Sequence, residues 1–407
     1  MKLSALLLIP SLLQAGALPA QTTSPPGSGA AALTADNNSF AADLYGQLRK
    51  QPGNLFFSPQ SISTAFAMAY AGAQGQTAVQ MQTVFHFTLP AENLHPAMGA
   101  LLAAMNAPHQ GYELRVADAL WAQQDESLLQ SYLQLVQTDY SAGLHQVDFK
   151  SAPDGVRSTI DQWVEQQTNG KIQNLIGPGA LTPSTRLVLT NAIYFKGSWL
   201  DPFRPEATDN EDFHLSVKQT IQAPMMHRTG GYRYYDGGTF QELELPYQGD
   251  ELSMVVLLPK EIGGLTALEE SFTASAVSNW LGKLAPAKKV ILTLPKFTLT
   301  QQFELSSALA KMGMPLAFGG AADFSGMNGK RDFAISAAIH KAFIDVNEQG
   351  TEAAAATAIA IFATAMRRQE NEPPPIVFKA DHPFLFLIRD VQSGSILFLG
   401  RVTNPTK

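Results

Sequence analysis

The chain has 407 residues, of which 45% are hydrophobic and 15% charged, a composition typical of globular proteins. With 28 basic and 35 acidic residues the net charge is −7, and since no basic run is present, nucleic acid is not an expected partner. Cysteine is absent, which excludes disulfides, thiol catalysis and a lipid-anchored cysteine. The length alone would allow two or three domains.

The N-terminal segment has the pattern of an export signal. A lysine and an apolar run over residues 2–13 precede Ala15-Gly16-Ala17, a small-x-small cleavage site. We therefore expect a signal peptide over residues 1–17, with Ala20 as a second possible cut, and a flexible leader over residues 18–36. The apolar run is too short to span a bilayer, so we expect a secreted or periplasmic protein with no membrane contact once the signal is cleaved. A buried N-terminal helix is the alternative.

A short strand is predicted at Asn54-Leu-Phe-Phe57, followed by a helix that begins with Ser58 and Pro59. Serine is a common helix cap, and proline favours the first helical position. Ser58 and Ser61 could also be nucleophiles at a helix start, but no His or Lys lies at a recognisable spacing beside them. We therefore interpret both serines as capping and core hydrogen-bonding residues.

The rest of the chain alternates between apolar strands and amphipathic helices. The strand from Arg186 to Phe195 is apolar almost without a break, which indicates burial on both faces. Gln248-Gly249-Asp250 is a turn signal between two further strands. The other predicted elements are a helix over 38–50, strands over 113–121, 243–247, 253–258 and 290–297, and helices over 156–167 and 303–312.

Motifs for enzyme chemistry and for metal or cofactor binding are missing from the sequence. There is no H-E-x-x-H, no phosphate-binding glycine loop, no G-x-S-x-G and no calcium loop. The eight histidines are scattered along the chain. We therefore expect no catalytic residues, no metal and no cofactor.

The most unusual stretch lies near the C-terminus, over residues 351–366. Alanine is the best helix former, so a surface helix is one interpretation of this stretch and a flexible linker is another. A period of two predicts a strand instead, because alternate residues from Thr351 are small or β-branched and uncharged. The stretch lies between predicted strands at 343–346 and 376–378 and is too long for a hairpin turn. A long segment able to form a strand is an aggregation hazard unless it has a use.

The pattern Glu-x-Gly-Thr-Glu-Ala-Ala-Ala-Ala-Thr at 348–357, followed by Ala380-Asp-His-Pro-Phe-Leu-Phe386, resembles the hinge and distal anchor of a serpin reactive loop. Serpin loop insertion is a known case of strand addition to a sheet. The resemblance covers about residues 37–405 and is to inhibitory, secreted, bacterial-like serpins. The residues that match the hinge are Glu348, Gly350, Thr351, Glu352, Ala353, Ala354, Ala355, Ala356 and Thr357.

The resemblance implies an α+β fold in a single serpin domain over residues 37–407. It implies three β-sheets, eight or nine helices and an exposed C-terminal reactive loop at about 348–375. Two functional sites of the main sheet are also implied. They are the shutter, through which the main sheet opens, and the breach, where the loop first enters it. The matching residues are Ser58, Ser61, Asn191 and His340 for the shutter and Trp199 for the breach.

By the same resemblance the function is inhibition of a serine protease, with which the chain forms a covalent complex as a single-use trap. A monomer is implied. The segment 92–105, where heparin-activated members carry clustered Lys and Arg, holds neither, only His95, so heparin activation is not expected. A non-inhibitory serpin that acts as a carrier or chaperone is the alternative, and a true hydrolase is a weaker one.

The expected cleavage site follows from spacing within the loop. In inhibitory serpins the cut usually lies about seventeen residues from the hinge glutamate, which places it here between Thr364 and Ala365. A threonine before the cut suits an elastase- or subtilisin-like protease. Measured back from the distal anchor, however, the loop is several residues longer than in common members. Met366, Arg367 and Arg368 are therefore rival sites, and an arginine would imply a trypsin-like target.

Overall fold

The computed structural model describes residues 28–141, 143–351 and 374–407. The predicted signal peptide lies outside these ranges. So do six hinge residues and all the candidates for the reactive bond: Glu352, Ala353, Ala354, Ala355, Ala356, Thr357, Thr364, Ala365, Met366, Arg367 and Arg368. Among the described residues, no helix is both long and apolar enough to cross a membrane.

The described residues form ten α-helices and two short 3-10 helices, at Pro205–Ala207 and Pro315–Phe318. The expected number was eight or nine. The excess comes from short elements such as α10, a single turn whose four residues are too few to produce a helical pattern. The helices are α1 Ser28–Leu48, α2 Pro59–Tyr70, α3 Gly75–Val84, α4 Ala91–Met105, α5 Gln130–Asp139, α6 Pro153–Gln167, α7 Leu265–Ser271, α8 Ala274–Leu281, α9 Ser306–Met312 and α10 Ser325–Asn328.

Helix α1 begins earlier than the sequence pattern suggested. The leader was expected to extend to residue 36, but residues 28–36 are helical, and Leu33 and Asp36 are buried. The Asp36 carboxylate accepts hydrogen bonds from the Thr88 backbone N–H at 3.0 Å and from its hydroxyl. This partner is distant in sequence, which is why composition alone assigned the segment to a leader.

A six-stranded sheet carries the segment that precedes the reactive loop. Its strand order is β10-β11-β12-β4-β2-β3, and β11 also pairs directly with β4 in parallel. Helix α2 packs on one face of this sheet and α6 on the other, where Ile160 and Val164 belong to the same buried cluster as Trp121 and Val188. The strands are β2 Tyr112–Gln123, β3 Leu144–Val147, β4 Leu187–Ser198, β10 Phe297–Glu304, β11 Ile335–Asn347 and β12 Gly350–Thr351.

The remaining nine described strands form one continuous sheet where two were expected. The connection is β6, which pairs with β9 on both sides of a register shift between Gly230 and Tyr232. It pairs with β5 before the shift and with β7 after it. The expected second and third sheets are therefore joined by this long strand. The strands are β1 Leu55–Phe57, β5 Thr208–Ser216, β6 Gln219–Asp236, β7 Phe240–Pro246, β8 Leu252–Pro259, β9 Ala285–Pro295, β13 Ile376–Lys379, β14 Phe384–Asp390 and β15 Ile396–Val402.

Candidate functional site

The start of the hinge is already part of the six-stranded sheet. Strand β12 lies between β11 and β4, with Gly350 opposite Ser198 and Thr351 opposite Gly197. Further along, β11 and β4 are hydrogen-bonded to each other in parallel from residue 335 to residue 343. A longer inserted strand would therefore have to separate β11 from β4 along this line.

Only glycine fits at position 350. Its φ is +151°, a conformation that side chains rarely adopt. A Cβ built there would lie 2.0 Å from the Gly197 carbonyl oxygen, far inside contact distance. The hinge glycine therefore allows the chain to turn back tightly against β4.

Glu348 fixes the chain just before this turn. Its carboxylate lies 2.8 Å from Lys296 Nζ and accepts a 2.9 Å hydrogen bond from the Thr208 hydroxyl. Its carbonyl oxygen accepts from the Phe203 N–H at 2.8 Å. Burial acts to raise the pKa of Glu348, but the hydrogen bonds and charge of Lys296, with Thr208, outweigh it and hold that pKa below its usual value.

The expected breach residue Trp199 lies beside the hinge. Its indole N–H donates to the Asn347 carbonyl oxygen at 3.0 Å, and its backbone N–H donates to the Gln349 carbonyl oxygen at 2.9 Å. The Trp199 ring stacks on Tyr247 with centroids 4.6 Å apart, and the Tyr247 hydroxyl lies 2.7 Å from Thr351 Oγ1. Burial raises the pKa of Tyr247, so this hydroxyl stays protonated.

The four expected shutter residues meet in one buried cluster beneath the sheet. The Ser58 backbone N–H donates to His340 Nε2 at 3.2 Å, so Nε2 is an acceptor and the ring proton lies on Nδ1, which faces Asn191 Oδ1. Burial lowers the pKa of His340 from 6.5 to about 3, so the ring is neutral. Ser58 also caps α2, as predicted, by accepting from the Ser61 N–H.

Asp118 belongs to this cluster but was missed by the sequence reasoning. Its Oδ1 accepts from the Ser61 hydroxyl at 3.2 Å and from the Asn191 side-chain amide. Burial raises the pKa of Asp118 well above its ordinary range, although both hydrogen bonds oppose the shift. An aspartate in the middle of an apolar strand was the available signal, because a buried carboxyl needs partners.

The two remaining site expectations concern metals and heparin. Within residues 28–141, 143–351 and 374–407 no group of three or more His, Cys, Asp or Glu side chains could hold a metal ion. His95 is the residue of the segment 92–105 that was considered for heparin binding. It is buried on α4, and its Nδ1 lies 2.8 Å from the Tyr140 hydroxyl oxygen. In that position it is not available to bind a surface polyanion.

Comparisons with known proteins agree with this geometry. A family model described as serpin (serine protease inhibitor) matches residues 35–405. Human leukocyte elastase inhibitor is 44% identical, covering 92% of this chain and 99% of that protein. A serpin-like protein of Thermococcus kodakarensis is 43% identical, covering 90% and 84% respectively.

Solved structures agree as well. Human thyroxine-binding globulin, in its structure with thyroxine, superposes with a TM-score of 0.84 at 31% identity, covering 93% of this chain and 100% of that one. The predicted single-domain α+β serpin fold is thus confirmed. The family match spans most of the chain, and the chain belongs to the serpin family.

Proposed function

We propose that this protein is a suicide-substrate inhibitor of an elastase- or subtilisin-like serine protease. The protease serine oxygen attacks the carbonyl carbon of Thr364. The bond from that carbon to the Ala365 nitrogen breaks, the amine leaves with a proton supplied by the protease, and an ester joins the two proteins. Hydrolysis of that ester would free the enzyme, so inhibition depends on distorting the enzyme first.

Insertion of the freed hinge provides the distortion. In an inserted strand Ala353 and Ala355 would lie on the same side as the buried Thr351, so small side chains would enter the sheet after it. An inserted strand of about a dozen residues adds roughly ten ladder hydrogen bonds at about 1 kcal/mol net each. Burial of its apolar side chains adds on the order of 5 kcal/mol. The total rivals the whole stability of an ordinary domain, about 5–15 kcal/mol, so the uncut form is held kinetically.

The observation that supports this proposal most is the position of β12. Gly350 and Thr351 lie between β11 and β4 as the first residues of a strand that the loop would extend. The hinge carries no bulky or charged residue from Ala353 to Ala356 that would oppose burial. The relative named as an elastase inhibitor agrees with the proposed protease class.

The test is to mix the purified protein with neutrophil elastase or subtilisin and separate the products under denaturing conditions. The proposal predicts a stable band at the sum of the two masses. The control is the same protease with its active-site serine blocked, which should give no band. Cleavage of the loop without any stable complex would contradict the proposal.

A carrier is the second candidate function, and one cavity favours it. A space of about 430 Å³ lies between α1 and α8, lined by Val277, Leu281, Arg389 and Ile396 among others. This volume lies within the range of small-molecule sites, and the thyroxine complex of a similar chain shows that a serpin can hold such a ligand. A saturable ligand together with no covalent complex would favour the carrier.

We also propose that the mature protein is exported and monomeric. The N-terminal pattern supports export, with cleavage after Ala17 or Ala20. N-terminal sequencing of protein recovered outside the cytoplasm tests this. A mature chain that begins at Met1 would contradict it. Light scattering of the purified protein tests the monomer, which a dimer mass would contradict.

A further inference from the structure

One oxygen of the shutter has no partner. Asp118 is 7% exposed, and while its Oδ1 accepts from Ser61 and Asn191, its Oδ2 is fully buried and makes no hydrogen bond in the described structure. A buried carboxylate left without compensation is costly, and such a group usually takes up a proton.

No described cation forms an ion pair with Asp118. From helix α2 the uncharged hydroxyl of Ser61 donates to it. Strand β11 presents His340, which is neutral and reaches Asp118 only through Asn191. Three titratable groups line the same cavity as Asp118, namely Arg115 (paired with Glu113), Tyr140 (bonded to His95) and His145 on β3.

The amide of Asn191 has to be oriented correctly for the shutter to close. Its Oδ1 faces the Nδ1–H of His340 on β11, while its Nδ2 donates to Asp118 and to Ser61 Oγ. A flipped amide would place two donors against each other at His340. An acceptor at Asp118 Oδ1 therefore selects the orientation that joins β4 to β11.

We propose that Asp118 is a positioning residue whose Oδ1 orients Asn191 toward His340, and that, because its buried Oδ2 has no partner among the described residues, it is held as a neutral carboxylic acid in the closed sheet. Its role in insertion rests on the proposed function, but its protonation can be tested on the isolated protein.

The direction of the pH effect follows from burial, which raises the pKa of Asp118 in the folded protein above its ordinary value of 3.8. The contribution of the protonated Asp118 to the free energy of unfolding is fully present below pH 3.8 and is lost as pH rises toward the pKa of the folded protein. Within that window the unfolding equilibrium changes by up to about tenfold per pH unit, one proton's worth. An asparagine at this position cannot titrate and removes the dependence.

The first test compares denaturant unfolding of the wild type and Asp118→Asn between pH 4 and pH 9. The stability of the wild type relative to the variant should fall as pH rises. Asp154→Asn is the matched control, because the Asp154 side chain is 89% exposed, and it should follow the wild type. Parallel curves for the wild type and Asp118→Asn would overturn the proposal.

The second test is infrared spectroscopy at pH 7, which detects the carbonyl band of a protonated carboxylic acid. Burial also raises the pKa of Glu242, to about 8, so a Glu242→Gln background removes that group's band. A band should remain in Glu242→Gln and disappear in the double variant with Asp118→Asn. No band in Glu242→Gln overturns the proposal even if Asp118→Asn does not fold. Failure to form a protease complex would instead overturn the proposed function and leave these results unaffected.

Discussion

The hydroxyl oxygens of Thr351 and Tyr247 lie 2.7 Å apart, which ties the hinge to the residue that follows β7. Thr351 is fully buried, and Tyr247 is held in turn by stacking on Trp199. The hinge is therefore anchored at Thr351, the position from which the proposed insertion would proceed.

The first prediction concerns the substitution of arginine for Thr351. Thr351 is already buried in β12, so an arginine there would either be buried unpaired, at a cost on the order of several kcal/mol, or hold the start of the hinge out of the sheet that it has to enter. We expect Thr351→Arg to be cleaved at the same bond as an ordinary substrate without forming a stable complex, as measured by the stoichiometry of inhibition. Thr351→Ser keeps the hydroxyl and should inhibit like the wild type. Wild-type stoichiometry in the arginine variant would refute insertion.

The second prediction concerns stability after cleavage. Cutting the loop frees the strand to enter between β11 and β4, which adds hydrogen bonds and buried surface. We expect the thermal midpoint to rise by roughly tens of degrees, because the added stability is comparable to that of a whole domain. Calorimetry of intact and nicked protein measures this. A nicked form that melts at or below the intact one would show that the loop is a passive linker.

The third prediction concerns the ion pair at the breach. Lys296→Met removes the charge 2.8 Å from Glu348, and because the lysine side chain is 36% exposed, the expected loss after solvent screening is about 0.5–1 kcal/mol of stability. The folded pKa of Glu348 is below its ordinary value of 4.5, so the pair's contribution is present above pH 4.5 and is lost as pH falls.

Denaturant unfolding at pH 7 and pH 3 measures this contribution. The exposed Lys289→Met is the control and should change little at either pH. Equal losses for Lys296→Met at both pH values would argue against the pair.

The fourth prediction concerns acid. The pKa of His340 is 6.5 in its ordinary state and about 3 in the folded protein, so its neutral form contributes stability above pH 6.5 that is lost as pH falls toward 3. We expect the closed sheet to open faster below pH 6.5, seen as faster polymerisation or faster insertion of an added hinge peptide. His340→Gln should flatten that dependence. If the rate of opening depended on pH in the same way in the wild type and in His340→Gln, the ring would not control opening.

The parts of the site encoded by local sequence could be predicted. The hinge was identified because residues 348–357 match the serpin pattern, and the cap of α2 follows from Ser58 and Pro59. The contacts that hold these pieces join residues far apart in the chain, such as Lys296 with Glu348 and Tyr247 with Thr351. The hydrophobic periodicity of the sequence does not predict contacts between residues that are so far apart.

Boundaries were less accurate for the same reason. The predicted helix at 303–312 begins only at Ser306, because Phe303 and Glu304 complete β10 by pairing with His340 and Ile339 on β11. Tertiary pairing thus overrides the local helical pattern. Asp118 was overlooked because its partners, Ser61 and Asn191, come from two other elements.

Mass spectrometry of the protein's complex with an elastase-like protease can detect both the covalent bond and the cleaved fragment. The proposed trap requires a covalent complex through Thr364 and a released C-terminal fragment that begins at Ala365. A fragment that begins at Arg368 or Gln369 would move the reactive bond and point to another protease class. Complete cleavage of the loop with no covalent complex would contradict the trap itself.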